Sequence, residues 1–174
     1  MDDAKEKLLL ESLTSYFQDP VKYGVLVSTL TESSSTSLRV LDWFVTNYSR
    51  THTKEVMQEL DDFNVYSDYK SQLKAFQKKF FDPFCRVHDK SRLRKLNVCL
   101  HGRQLVTTTG QLNFFRWAIE NRVVSFVQKH SDSIRRDLKA NFKKRLRRTE
   151  SSSASSSEET PTEEFERAYV ICFE

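Results

Sequence analysis

The sequence predicts a mainly helical α+β fold, with about five helices and a small three-stranded antiparallel sheet. Apolar residues recur every three or four positions along most of the chain, which is the period of an amphipathic helix. Only three glycines and three prolines occur in 174 residues, fewer turn residues than a β-sandwich or a propeller needs. Short stretches after residue 93 alternate apolar and polar residues instead, and these predict the strands.

The first part of the chain divides into four predicted helices. Helical spacing of apolar residues predicts them over residues 3–18, 21–30, 38–49 and 63–80. A proline follows an aspartate at Pro20 and again at Pro83, and each pair predicts a break because the residue before proline avoids the helical region. Ser37 is a predicted N-cap for the third helix. The polar residues 50–62 carry no clear periodicity.

The longest predicted helix covers residues 109–130. Thr108 and Gln111 have capping-box spacing, and the apolar residues that follow, including Phe115 and Trp117, spread over a wide arc. A helix that is apolar over so wide an arc is typical of the centre of a fold. The predicted strands run over 94–100, 103–107 and 167–173.

The C-terminal third divides by composition into three parts. Residues 132–148 predict a basic amphipathic helix that completes a single globular domain over residues 1–148. Residues 149–166 are rich in serine and glutamate, the composition of a flexible linker. Residues 167–174 then predict a terminal strand that returns to the domain.

Charge is distributed unevenly along the chain, although the net charge is only +4. Residues 135–148 hold eight cations and one carboxylate, whereas residues 149–174 hold seven carboxylates and one cation. Such a density of cations predicts a surface that binds the phosphates of DNA or RNA. The residues predicted to form this surface are Arg135, Arg136, Lys139, Lys143, Lys144, Arg145, Arg147 and Arg148.

Two other interpretations of this basic segment remain open at the level of sequence. The cations can form a solvated face whose aliphatic stems cover apolar surface. They can also be neutralised within the chain by the acidic residues 150–166. The serines of 151–157 precede two glutamates, so an acidophilic kinase could add further negative charge there; the alternative is a passive spacer.

A second and weaker basic surface is predicted on the helix over residues 63–80. Three of its lysines are spaced four apart and so share one face, and Tyr66 and Tyr69 nearby offer rings on which bases could stack. The alternative is that these tyrosines belong to the core. The residues of this lysine stripe are Lys70, Lys74, Lys78 and Lys79.

Catalysis, cofactors and metals have little support in the sequence. There is no glycine-rich phosphate loop, HExxH or nucleophile elbow, so we expect no enzyme and no cofactor. Cys85, His88, Cys99 and His101 have residue types that suit zinc. Only one residue separates Cys99 from His101, however, and we predict no metal site. The odd count of three cysteines predicts free thiols of a reducing compartment. No secretory signal or membrane span is predicted.

Three segments, 37–49, 63–86 and 107–127, resemble a family of small proteins of nucleocytoplasmic large DNA viruses, including iridoviruses and giant viruses. The motif QLNFFRWAIEN is the most specific part, and some members are labelled yabby-like transcription factors. Plant yabby proteins combine a zinc finger made of two cysteine pairs with a box that resembles the high-mobility-group domain. This sequence lacks paired CxxC motifs, and only residues 63–81 are loosely similar to the box.

The resemblance implies a viral protein that functions in transcription or virion assembly. We therefore expect a viral nucleic-acid-associated protein that acts in transcription or genome handling. The alternative is a minor virion structural or scaffolding protein that works through contacts with viral or host proteins. The expected location is the host cytoplasm, the viral factory or the nucleus, with packaging in the virion as a further possibility.

Overall fold

The computed structural model describes residues 2–31, 36–84 and 96–152, and these residues form eight helices and one two-stranded antiparallel sheet. The mainly helical α+β class is confirmed, and the count of five helices is wrong. The first five helices are α1 (Asp2–Tyr16), α2 (Pro20–Leu30), α3 (residues 38–51), α4 (Thr53–Glu59) and α5 (Val65–Phe80). Strands β1 (Leu96–Leu100) and β2 (Arg103–Thr107) precede α6 (Thr109–Glu120), α7 (Val123–Lys129) and α8 (Ser131–Ser152).

Three helices begin where the sequence places a capping side chain. Asp19 accepts hydrogen bonds from the first backbone amides of α2, which also begins with a proline. Asn64 accepts from the amide of Ser67 at the start of α5. Thr108 accepts from the amide of Gln111 at 3.1 Å, as the capping box predicts. Ser37 stands at the N-cap of α3 but makes no side-chain capping bond.

Helix α3 contains a π-helical turn. It runs as Leu38–Trp43, then the π turn Phe44–Tyr48, then Ser49–Thr51. A π turn takes one more residue than an α turn and so rotates the faces of the helix that follows. The first part of α3 packs against α7 and α8, and the last part packs against α5.

Several expected boundaries need correction. The helix predicted over residues 109–130 is two helices, because Arg122 adopts left-handed backbone with φ 57°. Helix α4 lies in the stretch 50–62 that had no clear periodicity. Helix α8 continues to Ser152 and so takes in the first residues of the predicted linker. The third strand, 167–173, lies outside the described residues, and within those residues the sheet has two strands where three were expected.

Helix α6 is the centre of the core. Its Leu112, Phe114 and Phe115 are fully buried, and it packs against α1, α5 and α7. The rings of Phe81, Phe114 and Trp117 lie 5.5–5.7 Å apart between centroids, a spacing typical of favourable aromatic pairs. Tyr69 of α5 joins them at 5.9 Å from Phe81. The expectation that α6 lies at the centre is therefore confirmed.

Two buried amides of α6 hold the chain segment that follows α5. Gln111 donates to the carbonyl oxygen of Pro83 at 2.8 Å and accepts from the hydroxyl of Thr107 at 2.8 Å. Asn113 donates to the carbonyl oxygen of Phe80 at 2.9 Å. Because buried polar groups are costly unless they are hydrogen-bonded, these amides fix where residues 80–83 lie on α6.

Other polar side chains of the QLNFFRWAIEN motif also bind within the fold. Trp117 Nε1 donates to the carboxylate of Asp68 on α5 at 2.6 Å. Arg116 donates to the hydroxyl of Ser12 on α1 at 3.1 Å. The motif that carries the family resemblance thus serves to assemble the core.

A substitution at Gly110 tests the close packing of α6 on residues 79–81. A Cβ at Gly110 would lie 2.9 Å from the carbonyl oxygen of Lys79 and 3.2 Å from the amide nitrogen of Phe81, both backbone atoms. We predict that Gly110→Ala lowers the free energy of unfolding by about 1–3 kcal/mol through overpacking, as measured by urea denaturation.

Gly24 is the matched control, because it also lies in a helix but has no atom within 4 Å of an added Cβ. Gly24→Ala should raise the free energy of unfolding by about 0.5–1 kcal/mol, since alanine loses less backbone entropy than glycine. A Gly110→Ala protein as stable as the parent would contradict the close approach of α6 to residues 79–81.

Candidate nucleic-acid interface

The first half of α8 is fixed to the body of the protein. Ile134 is fully buried. Asp137 accepts a hydrogen bond from Trp43 Nε1 at 2.8 Å and another from the side-chain amide of Asn141 at 3.1 Å. These three residues of α8 lie three or four positions apart and therefore share one helical face. That face packs against α3 and α7.

Charged groups lie near the contact between α8 and α3. Burial raises the pKa of the Tyr48 hydroxyl on α3, and the carboxylates of Glu55 and Asp137 raise it further, while Arg136 acts in the opposite direction. Just before α8, Lys129 and His130 contact the carboxylate of Glu59 at 2.7 and 2.8 Å.

The hydrogen bond from Lys129 is the largest cause that lowers the pKa of Glu59, with His130 adding to it. Glu59 therefore remains ionised to a lower pH than a free glutamate. Through this carboxylate, α4 is joined to the turn from which α8 begins.

The second half of α8 extends away from these contacts. From Phe142 to Arg147, each side chain that the structure describes is exposed. Arg135, Arg136 and Lys139 are exposed as well, on the side of α8 away from Ile134. The whole helix has 22 residues, which corresponds to about 33 Å. The side chain of Arg148, also predicted for this surface, lies outside the described part of the chain.

The cations of residues 135–148 share their segment with a single carboxylate. Asp137 is the one acidic residue within 135–148, and it points to Trp43 on the packed face. Arg136 donates to its own helix, to the carbonyl oxygen of Asp132 and the hydroxyl of Ser133, both at 3.3 Å. The seven cations of residues 135–147 are exposed along one helix, on more than one of its faces, and we call them together the α8 surface.

The predicted lysine stripe is less regular. Gln77 interrupts α5 with φ 58° and ψ 169°, so the helical alignment of Lys70 and Lys74 does not continue to Lys78. All four lysines of the stripe, Lys79 included, are exposed. Lys79 forms an ion pair with Glu6 of α1 at 3.5 Å.

The two tyrosines near the stripe have different surroundings. Tyr69 is 5% exposed and belongs to the aromatic core, so for this residue the alternative interpretation, a core tyrosine, is the correct one. Tyr66 is half-buried between two cations, with Lys70 5.5 Å and Arg50 5.8 Å from its ring centroid.

The zinc-like residue pattern is only partly described. His101 donates to the carbonyl oxygen of Phe17 at 3.1 Å and its ring lies 4.7 Å from that of Tyr23. Cys99 is exposed, and the other two residues of the pattern lie outside the described ranges. Within those ranges, no group of three or more His, Cys, Asp or Glu side chains is placed to hold a metal ion. The same part of the chain contains no helix long and apolar enough to cross a membrane.

The exposure of Phe142 was not predicted from the sequence. Ile134, Leu138 and Phe142 repeat every fourth residue, which predicts one buried apolar stripe. The structure instead shows a gradient along α8, with Ile134 fully buried, Leu138 half-buried and Phe142 46% exposed. A signal was present, because cations occupy most positions after residue 142 and leave no uncharged face for packing.

The fold and this surface define a small helical α+β protein that carries a basic helix at the end of its described residues. Residues 2–171 match the family of unknown function DUF7197, and the chain belongs to that family. It is 33% identical over 153 residues to the Uncharacterized protein L507 of Acanthamoeba polyphaga mimivirus. These residues are 85% of this chain and 59% of the relative, so the chain spans less than two thirds of that relative's length.

These matches fit a conserved family of large DNA viruses and support a viral origin for the chain. Neither match carries the yabby-like name, so that label is not supported. No solved structure matches this chain.

The attachment of α8 can be tested at Asp137. We predict that Asp137→Ala lowers the free energy of unfolding by about 1–3 kcal/mol, because it leaves Trp43 Nε1 without its charged partner. Glu11→Ala is the control, since Glu11 is an exposed carboxylate within α1, and its effect should stay within about 0.5 kcal/mol. Chemical denaturation of both variants measures the difference. Equal effects would show that the Trp43–Asp137 contact does not hold α8.

Proposed function

We propose that this chain is a viral nucleic-acid-associated protein that acts in transcription or genome handling, and that the α8 surface binds the phosphate backbone. One observation supports this most: the cations of residues 135–147 are exposed together, while Asp137, the one carboxylate among them, is bound to Trp43 on the packed face. Seven exposed cations within thirteen residues of one helix are suited to a polyanion.

The expected mode of binding is electrostatic. Lysine and arginine side chains that neutralise phosphates release the condensed counterions, and this supplies affinity without reading the bases. The described core motif is occupied by contacts within the fold, such as that of Gln111 with Pro83, so it is not available for recognition.

The finer assignment to transcription depends on the resemblance to viral proteins labelled yabby-like. The proposed location follows from the same resemblance and is the host cytoplasm, the viral factory or the nucleus.

Charge neutralisation of α8 tests the proposal. We predict that changing five of its cations to glutamine abolishes retention on DNA at moderate salt and leaves the thermal midpoint of unfolding nearly unchanged, because these side chains are exposed. Each lost phosphate contact should also reduce the salt dependence of log Kd by about 1. The five changed residues are Arg135, Arg136, Lys139, Lys143 and Lys144.

A second variant with the same loss of charge is the control. It removes five exposed cations from the rest of the protein, namely Lys5, Lys7, Arg50, Lys54 and Arg103. If both variants lose retention equally, net charge and not the α8 surface explains binding. If neither loses it, the proposal is wrong. Protein complexes that survive high salt, with no retention on DNA, would favour the alternative of a structural or scaffolding protein.

The acidic residues after α8 provide a further prediction. Residues 153–166 carry five glutamates and no cation, and the chain tethers them to the α8 surface at high effective concentration. They should therefore compete with nucleic acid. Changing these glutamates to glutamine should tighten DNA binding at low salt, and the difference should shrink as salt screens both interactions.

Fluorescence anisotropy across a salt series measures this effect. The substitution keeps the length of the segment, so a change in affinity reports charge alone. Equal affinities of the two proteins at low salt would reject competition and leave this acidic segment as a spacer.

A further inference from the structure

We propose that the nucleic acid bound at the α8 surface is single-stranded and that Phe142 stacks on one of its bases. This inference rests on the proposed function and adds the class of nucleic acid to it. The ring of Phe142 is exposed, and it is not among the apolar side chains that pack against the described core.

Phe142 differs from the other phenylalanines of the described core. Six of these, at positions 17, 44, 81, 114, 115 and 126, are at most 6% exposed. Phe142 is 46% exposed, and among the described residues it is the one aromatic side chain in the set of large exposed apolar residues. An aromatic ring left in water gives up a large favourable burial, so a ring in this place suggests a ligand with a flat apolar face.

The neighbours of Phe142 on α8 supply the charge that such a ligand needs. Lys139 stands three residues before it and Arg145 three residues after it, and residues at this spacing are neighbours on a helix surface. Lys143 follows directly in the chain, and all three cations are exposed. A base stacked on the ring would therefore have its flanking phosphates within reach of cations on both sides.

Single-stranded nucleic acid offers an exposed base face together with flanking phosphates, and a duplex does not. In a duplex the faces of the bases are covered by their neighbours, and only phosphates and base edges meet an approaching helix. A single strand exposes both its backbone and its base faces, and binding proteins combine basic grooves with aromatic stacking for this reason.

An anionic membrane surface is the competing ligand for a basic helix with an apolar residue. Helices that lie in a membrane interface use a wide apolar face along their length. On α8 the earlier apolar residues are less exposed, since Ile134 is fully buried and Leu138 is half-buried. One exposed ring among cations is a poor match to a bilayer and a good match to one base.

The test compares the whole chain with its Phe142→Ala and Phe142→Trp variants by fluorescence anisotropy. The probes are a labelled oligothymidine of about 12 nucleotides, an abasic oligomer of equal length and charge, a duplex of the same length and vesicles rich in phosphatidylserine. Val106→Ala removes an exposed apolar side chain from β2 and is the control for a general effect.

We expect Phe142→Ala to weaken oligothymidine binding about 5- to 100-fold, the loss typical of one stacked base. Phe142→Trp and Val106→Ala should keep the parent affinity, and binding to the abasic oligomer should not change. The parent protein should also bind the oligothymidine more tightly than the abasic oligomer or the duplex.

Five results would overturn the inference. Equal losses on the abasic oligomer, or no loss with Phe142→Ala while the α8 cations still matter, would reject stacking but leave the proposed function intact. Tighter binding to duplex, or vesicle binding that depends on Phe142, would replace the single strand with another ligand. If the parent binds none of the nucleic acids, the proposed function fails together with this inference.

Discussion

The rest of the structure depends on the close contact between the start of α6 and the backbone of residues 79–83. This contact requires a glycine at position 110, because an added Cβ would meet backbone atoms at 2.9 Å. It also requires the amides of Gln111 and Asn113, which satisfy the carbonyl oxygens of Pro83 and Phe80. Once α6 is placed there, its apolar faces bury against α1, α5 and α7. A motif that is specific to a family can therefore be conspicuous for structural reasons alone.

The basic surface follows from the same arrangement. The left-handed Arg122 ends α6 and allows the short helix α7 to turn back, with Phe126 stacked 5.1 Å from Phe44 of α3. Helix α8 then starts against α3, held by Ile134 and Asp137. Because α8 is longer than the surface that supports it, the described side chains from Phe142 to Arg147 lie in solvent. The fold thus separates a closely packed core from an exposed, basic helix end.

Sequence periodicity predicted most of the helices, and the capping box at Thr108 placed the start of α6. Periodicity failed where a residue other than glycine adopts a backbone conformation that its side chain disfavours. Arg122 and Gln77 adopt positive φ although neither is glycine, so nothing in the pattern announced the break after α6 or the interruption of the lysine stripe. The α8 surface was predicted from the many cations in residues 135–148. The exposure of Phe142 was missed, because periodicity tells which residues share a face but not where the neighbouring helices end.

Hydrogen exchange followed by mass spectrometry, with and without a single-stranded oligonucleotide, tests this separation most directly. In the free protein, the amides of α6 should exchange only through global unfolding, because the helix is buried and carries the contacts of the core. The end of α8 should exchange much faster. Adding the oligonucleotide should slow exchange at residues 139–147 and leave α5 unchanged. Protection that appears at residues 70–79, with none at the end of α8, would contradict the account.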